Sequence, residues 1–142
     1  MSLARMAALT AAMTVVGCTI GAAGTAAADQ PGQYYGAIAV SRLKNSAVVD
    51  AGLPSKTTAD AAVIRDCSNY DCEIVLHFTG GCAAVAQGAD GQFGWATGGS
   101  KSDAEQAAVT SLGQSNPPFP DLGSAQAQPA HVVTSACGPD AQ

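Results

Sequence analysis

A diverged internal repeat constrains the fold of this chain more than any other feature. The segment 55–62 aligns without gaps with the segment 100–107. In each half, two apolar runs precede this helix-like segment and another apolar run follows it. A repeat of this kind is a supersecondary unit that needs its neighbour to bury its apolar face. We therefore predict two copies of a strand, strand, helix, strand unit, at residues 34–80 and 81–138.

The two helices are predicted from apolar residues that recur every three and four positions. These positions are Ala59, Ala62, Val63 and Cys67 in the first copy and Ala104, Ala107, Ala108 and Leu112 in the second. Hydroxyl side chains that can cap a helix N-terminus precede both segments, Ser55 or Thr57 in one and Ser100 or Ser102 in the other. The helices are therefore the best-defined elements of the sequence.

The remaining apolar runs predict strands, because they are rich in β-branched and aromatic residues and are bounded by glycine turns. Asp90-Gly91 is the strongest hairpin signal among these turns. Two such units predict an α+β domain with a mainly antiparallel sheet and both helices on one face of it. The order of the strands in the sheet stays open at this point.

Four cysteines fall within the predicted domain, at Cys67, Cys72, Cys82 and Cys137. Four cysteines in an exported domain predict two disulfides, with three possible pairings. We expect Cys67 to pair with Cys72, since a disulfide can bridge a short turn between a helix end and a strand start. Cys82 then pairs with Cys137. Zinc is disfavoured, because a structural zinc site needs two close pairs and only one is present; we expect no metal and no cofactor.

The N-terminal segment has the organisation of a secretory signal. Arg5 precedes an uncharged, alanine-rich stretch at 6–20, and a run of small residues ends at Ala28. We predict a signal peptide at 1–28, a short linker at 29–33, and a secreted protein without a transmembrane helix in its mature form. An alternative is a lipoprotein, because Val15-Val16-Gly17-Cys18 resembles a lipobox in which Cys18 is acylated and anchors the chain to a membrane.

Residues 113–130 interrupt the second copy with a proline-rich insertion that holds four of the seven prolines and has no periodicity. This composition predicts a long loop, either an interaction surface or a tolerated surface insertion. A short tail at 139–142 follows the domain.

Charge and motif content exclude several function classes. Removal of Arg5 leaves five Lys or Arg against eleven Asp or Glu, a mature charge of about −6, so nucleic acid is a poor partner. The sequence has no Gly-x-Ser-x-Gly, His-Glu-x-x-His or phosphate-binding loop. His77 and His131 lie at similar places in the last strand of each copy, so a paired site is conceivable if those strands are neighbours.

The large aromatic residues from which a ligand groove or interface could be built are Tyr34, Tyr35, Tyr70, Phe93 and Trp95. Among them we take Tyr35, Phe93 and Trp95 as the candidate interaction surface. Phe93 and Trp95 share one face of their strand by its two-residue period, so the core or an exposed patch receives both. An exposed cluster of these three side chains would favour a binding function. A concave pocket that joins His77 or His131 to a carboxylate would favour catalysis.

Several motifs together resemble the domain-of-unknown-function family 4189 (DUF4189). They are Tyr35-Gly36-Ala37-Ile38-Ala39-Val40-Ser41, the segment 59–67, Asp71-Cys72-Glu73-Ile74-Val75, Cys82-Ala83-Ala84-Val85-Ala86 and Ser135-Ala136-Cys137. The resemblance spans residues 34–138 and implies a small exported protein of the kind found in mycobacteria and other actinobacteria. It implies a fold but no activity. Leu112-Gly113 stands where many members have a further cysteine, so the C-terminal half is less cross-linked.

The function predicted from the sequence is that of a monomeric, secreted, non-enzymatic module that binds a protein or cell-envelope partner. Devices that stabilise the fold are visible in the sequence, whereas catalytic motifs are not. The alternatives are a small envelope hydrolase whose site forms only in the fold, and a lipoprotein anchored through Cys18.

Overall fold

The computed structural model describes residues 32–117 and 126–141 of the chain. The predicted signal peptide at 1–28, the lipobox with Cys18, and the middle of the predicted insertion lie outside the described residues.

The described residues form two helices of 12 residues each and two sets of strands. Each half has the order strand, strand, helix, strand, and the second half has two further short strands before its last one. The elements are β1 (Tyr35–Ser41), β2 (Ser46–Leu53), α1 (Lys56–Cys67), β3 (Glu73–Thr79), β4 (Cys82–Gln87), β5 (Phe93–Gly98), α2 (Lys101–Leu112), β6 (Gln114–Ser115), β7 (Gln128–Pro129), β8 (His131–Cys137) and a 3-10 turn (Pro139–Ala141). The short β6 and β7 pair with each other at the two ends of the predicted insertion.

The six longer strands form two antiparallel sheets with the same internal order. The first sheet has the order β2-β1-β3 and the second has the order β5-β4-β8, so the first strand of each half is central. In each sheet, the register between the central strand and the last strand of that half shifts at a matching place. The shift lies between Ile38 and Ala39 in the β1–β3 pair and between Val85 and Ala86 in the β4–β8 pair.

The two sheets pack face to face, with one helix on each outer side. Ala37 and Ala39 of β1 pack with α1, whereas Ile38 and Val40 of the same strand pack with Val85 and other residues of the second sheet. The second half mirrors this arrangement, because Ala84 and Ala86 of β4 pack with Ala104 and Ala108 of α2. In the middle of the two central strands, alanines thus lie beneath the helices, whereas isoleucine and valine face the layer between the sheets.

The predicted α+β class, with mainly antiparallel strands, two helices and two disulfides, is confirmed. The predicted arrangement of a single sheet with both helices on one face is wrong. Each central strand is apolar on both faces, so each sheet buries one face against its own helix and the other against the opposite sheet.

Local capping explains where the helices begin. The Ser55 side chain accepts a hydrogen bond from the Thr58 N–H at 3.1 Å, and the Thr58 hydroxyl accepts one from the Ser55 N–H, which completes a capping box. Ser100 accepts from the Asp103 N–H at 3.2 Å in the second helix. Ser55 and Ser100, rather than Thr57 and Ser102, are therefore the N-caps.

Candidate functional sites

The two disulfides fasten the ends of secondary-structure elements. Cys67 at the end of α1 is bonded to Cys72 just before β3. Cys82 of β4 is bonded to Cys137, which lies directly opposite on the neighbouring β8. The first bridge therefore closes the short α1–β3 loop, and the second links the central strand β4 of the second sheet to its edge strand β8.

A buried hydroxyl joins the α1–β3 loop to the β1–β2 turn. Ser41 is fully buried at the end of β1, and its Oγ donates to Asp71 Oδ1 at 2.6 Å. The same oxygen accepts from Asn69 Nδ2 at 2.8 Å and from the Lys44 N–H at 3.2 Å. Asp71 also accepts from the Leu43 N–H at 2.8 Å. Two loops that are distant in the sequence are thereby held in one geometry.

The Asp71 carboxylate is the charged centre of this network. The hydrogen bond from the Ser41 hydroxyl, followed by that from the Leu43 N–H, lowers the pKa of Asp71 below its ordinary value of 3.8. The carboxylate is therefore ionised at neutral pH, the form that best accepts these donors.

The side chains on the outside of these two loops are unusually exposed. Leu43 is 67% exposed and Tyr70 is 89% exposed, the highest values among the large hydrophobic residues that the structure describes. Arg42 and Lys44 flank Leu43 and are also exposed. We call Arg42, Leu43, Lys44 and Tyr70 the Leu43–Tyr70 tip.

A histidine and a carboxylate meet at the other end of the first sheet. His77 Nε2 of β3 lies 2.6 Å from Asp60 Oδ1 of α1, and the two side chains are 39% and 35% exposed. His77 also lines a cleft of about 340 Å³ with the rest of 76–81 and with Thr97 and Gly98 of β5. His77 therefore lies beside both a carboxylate and a cleft, but no carboxylate is among the described residues that line this cleft, so the pocket that we associated with catalysis is only partly present.

The second half contains an equivalent contact without a histidine. Ser135 of β8 donates to Glu105 Oε1 of α2 at 2.6 Å. When the two sheets are aligned at their register shifts, Ser135 of the second sheet corresponds to His77 of the first. Glu105 likewise occupies the repeat position of Asp60. A hydrogen bond from the last strand to the helix is thus common to both halves.

His77 and His131 do not form a pair. His77 lies opposite Ala37 in the first sheet, whereas His131 lies opposite Gln87 in the second. The expectation that they are equivalent is wrong, because the register places Ser135 at the position that corresponds to His77.

The three predicted aromatic residues are divided between two layers. Phe93 is 9% exposed and the half-buried Trp95 packs beside it, both between the sheets. Tyr35 is on the opposite face of the first sheet, against α1. These side chains therefore do not form one exposed surface. Of the tip residues, Tyr70 was among the aromatic residues named as possible interface residues, whereas Leu43 was not predicted, although its place in a strand–strand turn was an available signal.

Two further carboxylates lie near the C-terminal end of α1. Burial, with a smaller contribution from Asp66, raises the pKa of Asp50, whose buried Oδ2 has no hydrogen-bond partner among the described residues. Asp66 itself accepts from Arg65 Nε at 2.7 Å, and this contact lowers its pKa. Both shifts have local causes, and we assign neither group a functional role.

Neither metal-binding clusters nor membrane-spanning helices occur in the part of the chain that the structure describes. No group of three or more His, Cys, Asp or Glu side chains in residues 32–117 and 126–141 is placed to hold a metal ion. No helix within the same residues is long and apolar enough to cross a membrane.

Comparison with known proteins identifies one family. The sequence model described as "Domain of unknown function (DUF4189)" matches residues 35–137, from the first residue of β1 to the last of β8. No curated protein and no solved structure matches the chain.

Proposed function

Because the chain belongs to the DUF4189 family, whose description assigns no activity, we propose a function from its own surface. The protein is an exported, monomeric binding module that engages a protein or cell-envelope partner through the Leu43–Tyr70 tip. The observation that carries this proposal is the exposure of Leu43 and Tyr70 on loops held by a disulfide and by a part-buried hydrogen-bond network around the buried Ser41.

Such a surface is suited to binding because its backbone is already ordered. Ordering loops and side chains on association costs about 0.5–1.5 kcal/mol for each immobilised side chain. The Ser41 and Asp71 hydrogen bonds and the Cys67–Cys72 bridge remove the backbone part of this cost at Tyr70 and Leu43. Tyrosine and arginine are also the residue types that dominate binding energy at interfaces.

The charges at the tip indicate the kind of partner. The whole chain has a formal charge of −5, yet Arg42 and Lys44 are both at the tip. Neither cation forms an ion pair with another described residue. The partner surface that complements the tip therefore has an apolar pocket for Tyr70 and Leu43 with acidic groups around it.

A photo-crosslinker placed at the tip tests this proposal. Tyr70 is replaced by benzoylphenylalanine in cells that produce the full chain, and Ala107, exposed on α2, receives the same group in a control. We expect a discrete crosslinked product from position 70 that disappears when Leu43→Ser and Lys44→Glu are added. Identical products from both positions, or products that persist in the added variant, would contradict a binding role for the tip.

Export is supported by the signal-like N-terminus, by the two disulfides and by the resemblance to small exported actinobacterial proteins. The intact mass of the native product, before and after reduction and alkylation, tests it. We expect a chain that begins at Asp29 and shows four alkylatable cysteines only after reduction. A diacylated Cys18 would instead establish the lipoprotein, and an unprocessed N-terminus would overturn export by this signal.

An envelope hydrolase is the second candidate, and the His77–Asp60 pair beside the cleft favours it. We place it second because Ser135 and Glu105 form the equivalent contact in the other half, so this hydrogen bond already has a role in fastening a strand to a helix. A panel of nitrophenyl ester and peptide substrates tests whether the hydrolase deserves its second rank behind the binding module. We expect no turnover above that of His77→Gln; turnover abolished by both His77→Gln and Asp60→Asn would make the hydrolase primary.

A further inference from the structure

The edge of β3 that faces away from β1 pairs with no other described strand, and it lies away from the Leu43–Tyr70 tip. We propose that an extended segment of a partner polypeptide adds to this edge as a fourth strand of the first sheet, beside His77 and Thr79. The tip is at the opposite end of β1 and β3 from these two residues, so this proposal does not depend on the proposed function.

The hydrogen-bond ladder determines which backbone groups face the edge. The Gly80 N–H donates to the Tyr34 carbonyl at 2.8 Å, one residue beyond the pair formed by Tyr35 and Thr79. Antiparallel pairs alternate between hydrogen-bonded and non-hydrogen-bonded types. Thr79 and His77 therefore occupy non-hydrogen-bonded pairs with β1. Their N–H and C=O groups point away from β1, where the described residues provide no further strand.

The surroundings of this edge leave room for a chain. The helix α1 packs mainly on β1 and β2 and only slightly on β3, so His77 and Thr79 are exposed on the helix side. The cleft of about 340 Å³ is open, and it is lined by residues 76–81 and by Thr97 and Gly98 of β5. The space that a fourth strand would enter is therefore an existing groove rather than a covered edge.

Between Leu76 and Thr79, the edge also lacks proline, lysine and bulges, which usually block strand addition. Proteins protect edges with proline, lysine, bulges or inward-facing charges. β3 contains neither proline nor lysine, and its register shift lies before Leu76. The stretch from Leu76 to Thr79 is thus regular and unprotected, as in domains that bind peptides by strand addition.

The two faces of β3 indicate the chemistry of the segment. Side chains of an added strand alternate between faces. One set would lie beside the His77–Asp60 pair, which suits hydroxyl or amide groups. The other set would lie near Phe78 and Thr97, which suits small apolar groups. The partner segment therefore alternates polar and small apolar residues.

Nuclear magnetic resonance titration of the ¹⁵N-labelled full chain tests the inference, with an alternating threonine–valine hexapeptide as the probe. We expect the amide shifts to change at His77 and Thr79 and neighbouring β3 residues. The same peptide with N-methyl groups on its pairing edge is the matched control, and we expect it to bind about tenfold more weakly because its donors are absent. Equal binding of both peptides, shifts confined to other elements, or no shifts at millimolar peptide would overturn the proposal.

Two variants separate backbone recognition from side-chain recognition. Thr79→Pro removes an N–H that points outward and should abolish the shifts, whereas Thr79→Ala keeps the backbone donor and should retain them. Circular dichroism is used to check that each variant is folded. If Thr79→Pro does not fold, the comparison of the two peptides, with and without N-methyl groups, still decides the question. Sedimentation of the free chain is the last check: a dimer with protected β3 amides would assign the edge to a second copy and overturn the proposal.

Discussion

Ser41 illustrates how one buried hydroxyl can determine the shape of a surface. Its oxygen donates to Asp71 and accepts from the Asn69 side chain, and neither of these partners is near it in the sequence. Ser41 itself is fully buried, and a buried polar group without partners costs about 1–3 kcal/mol, so this side chain requires partners such as Asp71 and Asn69. The exposed positions of Leu43 and Tyr70 are a consequence of this requirement.

The pH dependence of stability tests the charge at Asp71. Its folded-state pKa is lowered by Ser41 and Leu43, so the carboxylate contributes stability above its ordinary pKa of 3.8 and loses that contribution as the pH falls through the folded value. We expect Asp71→Asn to lower the melting temperature at neutral pH and to converge with the wild type in acid. In a Ser41→Ala background the pH-dependent difference should shrink; an unchanged difference would contradict the assigned cause.

Gly81 is a residue-scale test of the turn between β3 and β4. Its φ is +67°, and a Cβ added there would lie 2.8 Å from the carbonyl oxygen of Gly98. Gly91 is a matched control, since its φ is +77° and a Cβ there meets nothing within 4 Å. We expect Gly91→Ala to cost about 1–2 kcal/mol and Gly81→Ala at least about twice as much in urea unfolding. Equal costs would show that the contact with Gly98 is relieved easily.

At the scale of elements, the two halves use the same plan with different residues. The last strand of each half is hydrogen-bonded to its helix, through His77 and Asp60 in one and Ser135 and Glu105 in the other. The disulfides are placed differently, because one closes a loop after α1 and the other joins β4 to β8. The first half is therefore cross-linked by a disulfide between residues close in the sequence, and the second by a disulfide between residues far apart in the sequence.

The disulfides are expected to contribute unequally. The Cys67–Cys72 bridge has a sequence separation of 5 and the Cys82–Cys137 bridge one of 55. By the loop-entropy relation, removing the first by double alanine substitution should cost about 2 kcal/mol and removing the second about 4 kcal/mol. Denaturant unfolding of the two double variants measures this. A larger loss of stability in the variant without the Cys67–Cys72 bridge would show that contacts in the folded state, rather than the entropy of the unfolded chain, dominate.

At the scale of the whole molecule, the two sheets share one apolar layer. Ile38 and Val85, both fully buried, come from different sheets and lie in the same cluster. The half-buried Trp95, the one tryptophan of the sequence, packs against it. Because neither sheet can shield its apolar face from water without the other, the two halves should unfold together.

A substitution in the shared layer tests this cooperativity. Ile38→Ala should cost about 3 kcal/mol, and Trp95 fluorescence and far-ultraviolet circular dichroism should report the same shifted midpoint, although Ile38 and Trp95 are in different sheets. Val133→Ala, at an exposed position, should change stability by less than about 0.5 kcal/mol. Separate midpoints for the two probes would mean that the halves unfold independently.

The sequence by itself determined the features that depend on local pattern. Helix periodicity and capping serines specified α1 and α2, four cysteines specified two disulfides, and apolar runs between glycine turns specified the strands. These features can be predicted because a helix or strand repeats its geometry every few residues, so the spacing of apolar side chains in the sequence reveals it.

Only the tertiary structure decided how these elements are layered and which side chains stay outside. The run from Ala37 to Val40 is apolar at every position, which indicates burial on both faces but not what covers each face. The division into two sheets, the burial of Phe93 and the exposure of Tyr70 all follow from contacts between residues far apart in the chain. The physical reason is that a face is buried or free according to what packs on it, and that partner comes from the other half of the fold.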